Sequence, residues 1–66
     1  MILVKQERLG RTLIELRKEQ TGGRFWIVRV PSYGEEEFLE TTKTLEKAQV
    51  FFDRHVRIAK RLLGGV

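Results

Sequence analysis

The chain has 66 residues, no cysteine and a net charge of +4 at pH 7. This length fits one domain that buries only about 60% of its unfolded surface, and the lack of cysteine excludes a disulfide framework and a thiolate metal site. No apolar run approaches the roughly 20 residues of a membrane span, and Lys5 ends the N-terminal apolar run too early for a signal peptide. We therefore expect one cytoplasmic domain over residues 1–66, with no membrane association and no cofactor.

The charge is unevenly placed along the chain. Residues 1–30 and 47–66 each carry a balance of +4, whereas residues 31–46 carry −4. A pI of about 10.0 favours acidic partners such as nucleic acid. The ordinary alternative is that this charge serves solubility alone.

The first 42 residues read as strands separated by turns. Gly10, the Thr21-Gly22-Gly23 segment and the 31–34 segment carry turn signals, and Pro31 cannot donate to a sheet ladder. Between these signals lie apolar or alternating runs that predict strands at about 2–6, 12–19, 24–30 and 37–42. The short connections favour an antiparallel meander of three or four strands over residues 2–42.

The last third of the chain predicts one amphipathic helix from Leu45 to Leu63. Its apolar residues recur three and four positions apart, as one helical face requires. Thr44 is placed to cap the N-terminus, and Gly64 and Gly65 are placed to cap the C-terminus. The predicted fold is therefore α+β, an antiparallel sheet with a C-terminal helix packed on one face.

One helix can cover only one face of this sheet, and the sequence has apolar residues for both. We assign seven residues to the helix side: Ile2, Val4, Ile14, Leu16, Trp26, Val28 and Val30. The opposite face then holds Leu3, Leu13, Phe25 and Ile27. An exposed apolar patch usually marks an interface, so these four residues predict self-association or a protein partner. Two alternatives are coverage by twist, a bulge or the 33–38 loop, and a base-stacking platform built on Phe25.

The sequence offers little for catalysis. His55 is the single histidine and projects from the apolar stripe of the helix, where we expect a partly buried side chain bonded to a backbone carbonyl. Ser32 lies in a turn with no nucleophile motif, and the acidic run Glu35-Glu36-Glu37 is typical of a solvated loop. We expect no enzyme activity, no catalytic residue and no metal site.

Residues 11–60 resemble two families of small domains in their layout and in one motif. Trp26-Ile-Val-Arg-Val30 precedes a polar turn, and Thr44-Leu-Glu-Lys-Ala48 opens the final helix. This arrangement is similar to the arm-type DNA-binding domain of phage integrases, related in fold to AP2 domains, and less closely to HicB-type antitoxin domains. The chain departs from the first family in its run of three glutamates, and from the second in lacking a glycine before the helix.

The integrase resemblance implies a sheet presented to the major groove of DNA. The residues it places on the matching strands for contacts with phosphates or base edges are Arg17, Lys18, Arg24 and Arg29, beside Phe25. We therefore expect a non-catalytic binding module, with nucleic acid as the first partner. The alternative is a regulatory, antitoxin-like domain that binds protein through an apolar sheet face, often as a homodimer.

Overall fold

The structure is a computed structural model that describes residues 1–63. Its elements in chain order are β1 (Ile2–Leu9), β2 (Thr12–Lys18), β3 (Phe25–Val30), β4 (Glu37–Thr42) and α1 (Leu45–Leu63). The strands form one antiparallel sheet in the order β1-β2-β3-β4, and α1 packs on one face. The predicted α+β meander with a C-terminal helix is confirmed. The glycine cap predicted at Gly64 and Gly65 lies outside the described residues.

Short turns connect the strands as the glycines predict. Gly10 has φ 65° and occupies the first central position of the two-residue β1–β2 turn, the position that favours glycine in type II′ hairpins. The Glu19 N–H donates to the Arg24 carbonyl over 2.8 Å and closes the β2–β3 loop. The Ser32 hydroxyl donates to the Arg11 carbonyl over 2.5 Å, so the β3–β4 loop is tied to the first hairpin.

Directly paired residues of antiparallel strands share a face, so the register fixes the two sides of the sheet. One side, the covered face, lies under α1 and includes the pair Leu16 and Ile27. The other side, the open face, has no helix over it. Its β2–β3 pairs are Leu13 with Val30, Glu15 with Val28, and Arg17 with Trp26.

Both edge strands carry a bulge. Leu3 pairs with Arg17 and Lys5 pairs with Leu16, so Val4 is an extra residue in β1. In β4, Leu39 is the extra residue, between the residues that pair with Ile27 and Val28. Each bulge changes which side of the sheet the following residues face.

The core lies between the covered face and α1. Its buried members are Leu9, Ile14, Leu16, Phe25, Ile27, Ala48, Phe52 and Val56. The three from the helix recur every fourth residue, which places them on one stripe. Burying a side chain as large as Phe52 stabilises the fold by roughly 1.5–3 kcal/mol.

The helix begins as predicted. The Lys47 N–H donates to Oγ1 of Thr44 over 3.2 Å, and the Ala48 N–H donates to the Thr44 carbonyl over 3.0 Å. Thr44 is therefore the N-cap, because its side chain satisfies an N–H that has no partner within the helix.

The predicted orientation of β3 is wrong. Phe25 and Ile27 were expected away from the helix, yet both belong to the core. Trp26, Val28 and Val30, expected under the helix, lie on the open face. Arg29 shares the covered side with Phe25 and Ile27, which made that side look solvent-facing in the sequence. The Arg29 side chain is exposed although it lies on the covered side, and its Nε–H donates to Glu37 over 2.7 Å.

The predicted orientation of β1 is wrong after its third residue. Val4, expected under the helix, falls on the bulge and is 43% exposed. Lys5 takes the covered side instead, with its Nζ 4.9 Å from the ring centroid of Phe52. The extra residue reverses the alternation that the sequence pattern assumed.

Within residues 1–63, no helix has both the length and the apolar character needed to cross a membrane.

Candidate functional site

The open face is an apolar surface of the sheet that has no second layer over it within the described chain. Val28 is fully buried at its centre, and Leu13, Trp26 and Val30 around it are half-buried. Leu3 and Phe38 are about half exposed, at 49% and 48%. Apolar residues in this arrangement are typical of a surface that binds another molecule.

A network of ion pairs crosses the middle of this face. The Nη1 and Nη2 groups of Arg17 donate to the two carboxylate oxygens of Glu36 over 2.9 and 2.8 Å. Its Nε–H donates to Glu15 over 2.7 Å. We call these three residues the Arg17 clamp. Its bidentate half has the geometry that gives charge-assisted bonds their strength.

The bonds within the clamp shift the pKa of both partners. Hydrogen bonds from Arg17 hold the pKa of Glu36 below its usual range. The hydrogen bond to Glu36, with a smaller one to Glu15, holds the pKa of Arg17 above its usual range. Each nitrogen of the guanidinium thus donates to a carboxylate, which lowers the gain that a phosphate would obtain by binding it.

The strand register places Val28 between the two ends of the clamp. Arg17 pairs with Trp26, which lies two residues before Val28 in β3. Phe38 pairs with Val28, and Glu36 lies two residues before Phe38. The Arg17 side chain therefore passes across Val28 to reach its partner. Its aliphatic stem covers apolar surface while its charged end stays near solvent.

An aromatic pair forms the β3–β4 part of the open face. The rings of Trp26 and Phe38 are 5.5 Å apart between centroids and meet edge to face at 89°. The indole N–H of Trp26 donates to a carboxylate oxygen of Glu19 over 2.7 Å. Both contacts orient the ring of Trp26 on this part of the face.

The open face is neutral in a protein that carries +4. Its ionic residues are those whose side chains lie on it or bond to its members, namely Arg8, Arg17, Arg24, Glu15, Glu19 and Glu36. Three arginines balance three glutamates. Most of the positive excess of the chain therefore lies on the covered side of the sheet and on α1.

The structure does not bring the predicted nucleic-acid residues together. Arg17 lies on the open face, whereas Lys18 and Arg29 lie on the covered side of the sheet. Arg24 precedes β3 and donates to Oγ1 of Thr41 over 3.2 Å. Phe25 is buried in the core with the Lys18 ammonium 5.7 Å from its ring centroid, so the expected stacking platform on Phe25 is wrong.

The predicted interface set is divided in the same way. Leu3 and Leu13 lie on the open face, whereas Phe25 and Ile27 lie in the core. The predicted interface set lacks Trp26 and two further apolar residues of the open face, Val30 and Phe38. The even-numbered apolar residues of β3 indicated an apolar open face, but they were assigned to the helix side of the sheet.

The solvent side of α1 carries a cationic row of Arg54, Arg57 and Arg61, which recur three and four residues apart. Arg54 lies 3.7 Å from Glu40, and next to the row Lys60 lies 3.2 Å from Glu7 of β1. Such a row is typical of a solvated helix and also fits an anionic partner.

His55 joins the helix to β4. Its Nε2 lies 2.6 Å from Oε2 of Glu40, and the side chain is partly buried. Partial burial was predicted, but the expected backbone carbonyl partner is wrong, because Glu40 faces the helix where its strand pairs with Ile27. Across the described part of the chain, no group of three or more histidine, cysteine or acidic side chains is arranged to hold a metal ion.

A groove of about 520 Å³ lies between the end of α1 and the β1–β2 turn. Its walls are mainly apolar, with Leu9, Ala59, Leu62 and Leu63 facing the turn. The Arg29 guanidinium at its rim is bonded to a carboxylate of β4. The groove offers apolar surface without a convergent set of polar groups.

Comparison of the chain with family models, with curated proteins and with solved structures gives no match. The likeness to integrase arm-binding and HicB-type domains therefore stays a hypothesis about residues 11–60.

Proposed function

We propose that this chain is a non-catalytic, cytoplasmic binding module that binds protein through the open face of its sheet. The observation that carries the proposal is the half-exposed apolar group of Leu3, Leu13, Val30 and Phe38 around a buried Val28. Apolar side chains interspersed with paired arginine and glutamate side chains are common on non-obligate protein interfaces.

The state of Arg17 is the reason for preferring protein to nucleic acid on this face. Affinity for nucleic acid comes mainly from cations that are available to phosphates. Here the guanidinium of Arg17 is bonded to two carboxylates, and the face as a whole is neutral. A polyanion would gain little from such a surface, whereas an apolar protein surface would gain from the hydrophobic effect.

Site-specific photocrosslinking tests the proposal. Phe38 on the open face and Val50 on the solvent side of α1 are each replaced by p-benzoylphenylalanine, and the two variants are irradiated in cells of the source organism. Both positions are exposed, at 48% and 57%, so they form a matched pair. We expect discrete protein adducts from position 38 only, unchanged by nuclease. Equal labelling from both positions, or adducts that nuclease removes, would overturn the proposal.

A second candidate function is nucleic-acid binding through α1, and one observation favours it. The arginine row of the helix lies on the side of the molecule that carries most of the positive excess. Titration with mixed-sequence duplex and single-stranded DNA at two salt concentrations tests it. Binding through several phosphates weakens steeply with salt, and Arg57→Gln with Arg61→Gln should flatten the salt slope by about one unit per lost contact. Salt-independent binding, or none at low salt, would exclude this candidate.

A further inference from the structure

We propose that the open face binds a second copy of this chain, so that two sheets pack face to face between two outer helices. This inference rests on the proposed function and names its partner. The resulting order of layers is helix, sheet, sheet, helix, and the two copies are related by a two-fold axis that lies in the plane between the two open faces. Two aligned sheets stack about 10 Å apart, a spacing that the apolar side chains of the open face can fill.

The size of the face is the first argument. Four strands about 4.8 Å apart and six to eight residues long cover roughly 400 Å² in projection. Packing two such faces would remove on the order of 1,000 Å² of accessible surface in total, the lower limit for a specific interface. The area is therefore enough for a reversible dimer and too small for an obligate one.

The charge of the face is the second argument. A two-fold interface brings every residue of a patch against the same patch, so a strongly charged patch repels itself. The rest of this chain is cationic, whereas the open face is balanced between arginines and glutamates. It is the broad surface of the molecule on which two copies meet without a net repulsion.

The edges of the sheet are the competing route to a dimer, and both are poorly suited to it. Regular pairing of two β1 strands needs an uninterrupted row of backbone N–H and C=O groups, but the bulge at Val4 breaks this row. The bulge at Leu39 does the same in β4. The second copy therefore binds the face.

Sedimentation velocity on the purified chain tests the inference. The chain mass is 7.8 kDa, and we expect the weight-average mass to rise toward twice this value between roughly 10 μM and 1 mM, as the modest area predicts. The midpoint should change little between low and high salt, because the contact is mainly apolar.

Four single variants locate the contact. Phe38→Lys on β4 and Leu13→Lys on the inner strand β2 should each lower the association constant at least tenfold. Val50→Lys on the solvent side of α1 is the matched control and should leave it unchanged. Ile2→Lys lies on the β1 edge but on the covered side, so a loss of association in this variant alone would overturn face-to-face packing. Far-UV circular dichroism shows that each variant is folded, and Phe38→Lys carries the test if Leu13→Lys unfolds.

Sedimentation and photocrosslinking together distinguish the proposed dimer from the proposed protein-binding function on which it rests. A mass of one chain up to 2 mM overturns the second copy as partner. If photocrosslinking at Phe38 then gives adducts with a different protein, the proposed function still holds. Intermolecular nuclear Overhauser effects between Leu13 and Val30 methyl groups, in a mixed isotope-labelled sample, would establish the face-to-face dimer directly.

Discussion

The two faces of the sheet are built from the same strands but are covered in different ways. On the covered face, α1 supplies Phe52 and Val56, which bury Ile27. On the open face, the equivalent central residue Val28 is fully buried without a helix over it, between the two ends of the Arg17 clamp. When a helix packs on a sheet, apolar side chains of both elements are buried. An ion pair across a sheet face can cover one side chain but leaves the neighbouring side chains exposed. The covered face should therefore determine stability, and the open face should determine what the protein binds.

The largest expected effect comes from truncating a core ring. Phe52→Ala should cost about 3–5 kcal/mol, a large part of the stability of a domain this small. Phe38→Ala removes the same atoms from the open face, where the ring is 48% exposed, and should cost about 1 kcal/mol or less. Chemical denaturation compares the two. Similar losses would show that the faces do not differ as described.

Truncating the centre of the open face should have an intermediate effect. Val28→Ala should cost about 1–2 kcal/mol, because the side chain is fully buried although no helix covers it. Val30→Ala, the half-buried neighbour in the same strand, is the matched control and should cost less. A thermal midpoint for Val28→Ala equal to that of the parent would mean that the clamp shields Val28 only loosely.

Removing the helix cap should cost about as much as a typical N-cap. Thr44→Ala should lower the free energy of unfolding by about 1 kcal/mol, whereas Thr44→Ser keeps the acceptor and should lose little. The substitution weakens α1, which packs on the covered face, and leaves the side chains of the open face unchanged. Dimer formation through the open face should therefore persist under conditions where the variant is folded. Urea denaturation and sedimentation together check both parts.

The smallest effect concerns the clamp and appears as pH dependence. The pKa of Glu36 is lowered from its ordinary value of 4.5 by its bonds to Arg17, so its stabilising contribution is present above pH 4.5. This contribution is lost as the pH falls through the lowered pKa. Glu36→Gln should therefore be less stable than the parent near neutral pH and should converge with it in acid.

Glu35→Gln removes the same charge one position earlier and is the control for the clamp. Its difference from the parent should change less with pH than that of Glu36→Gln. If the two variants follow the same curve from pH 7 to pH 3, the bond between Arg17 and Glu36 contributes nothing specific.

The sequence was sufficient to predict the helix and the order of strands but not the two sides of the sheet. The apolar spacing of α1, with Thr44 before it, was enough to predict the helix and its first residue, because the N-cap and the periodicity agree. In β3, apolar residues fall on both sides, so alternation alone cannot tell which side meets the helix. The one charged residue in that strand, Arg29, pointed to the wrong side.

The site depends on pairings that are distant in the sequence. Arg17 and Glu36 are 19 residues apart, and their contact follows from the register of β2, β3 and β4. The bulge at Val4 shifts the register of β1, yet no glycine or proline at this point of the sequence predicts it. Long-range pairing and bulges are therefore the two physical reasons why the open face could not be assembled from the sequence.

The bulges at Val4 and Leu39 also bear on how assembly ends. Strand addition at a sheet edge leaves a new edge of the same kind, so it can continue into ribbons and fibrils, whereas face-to-face packing closes after two copies. Lys5, which follows the first bulge and faces the helix side, adds an inward-pointing charge to the long β1 edge. If the open faces of two copies pack as proposed, association would end at the dimer, and the irregular edges would not extend it into a fibril.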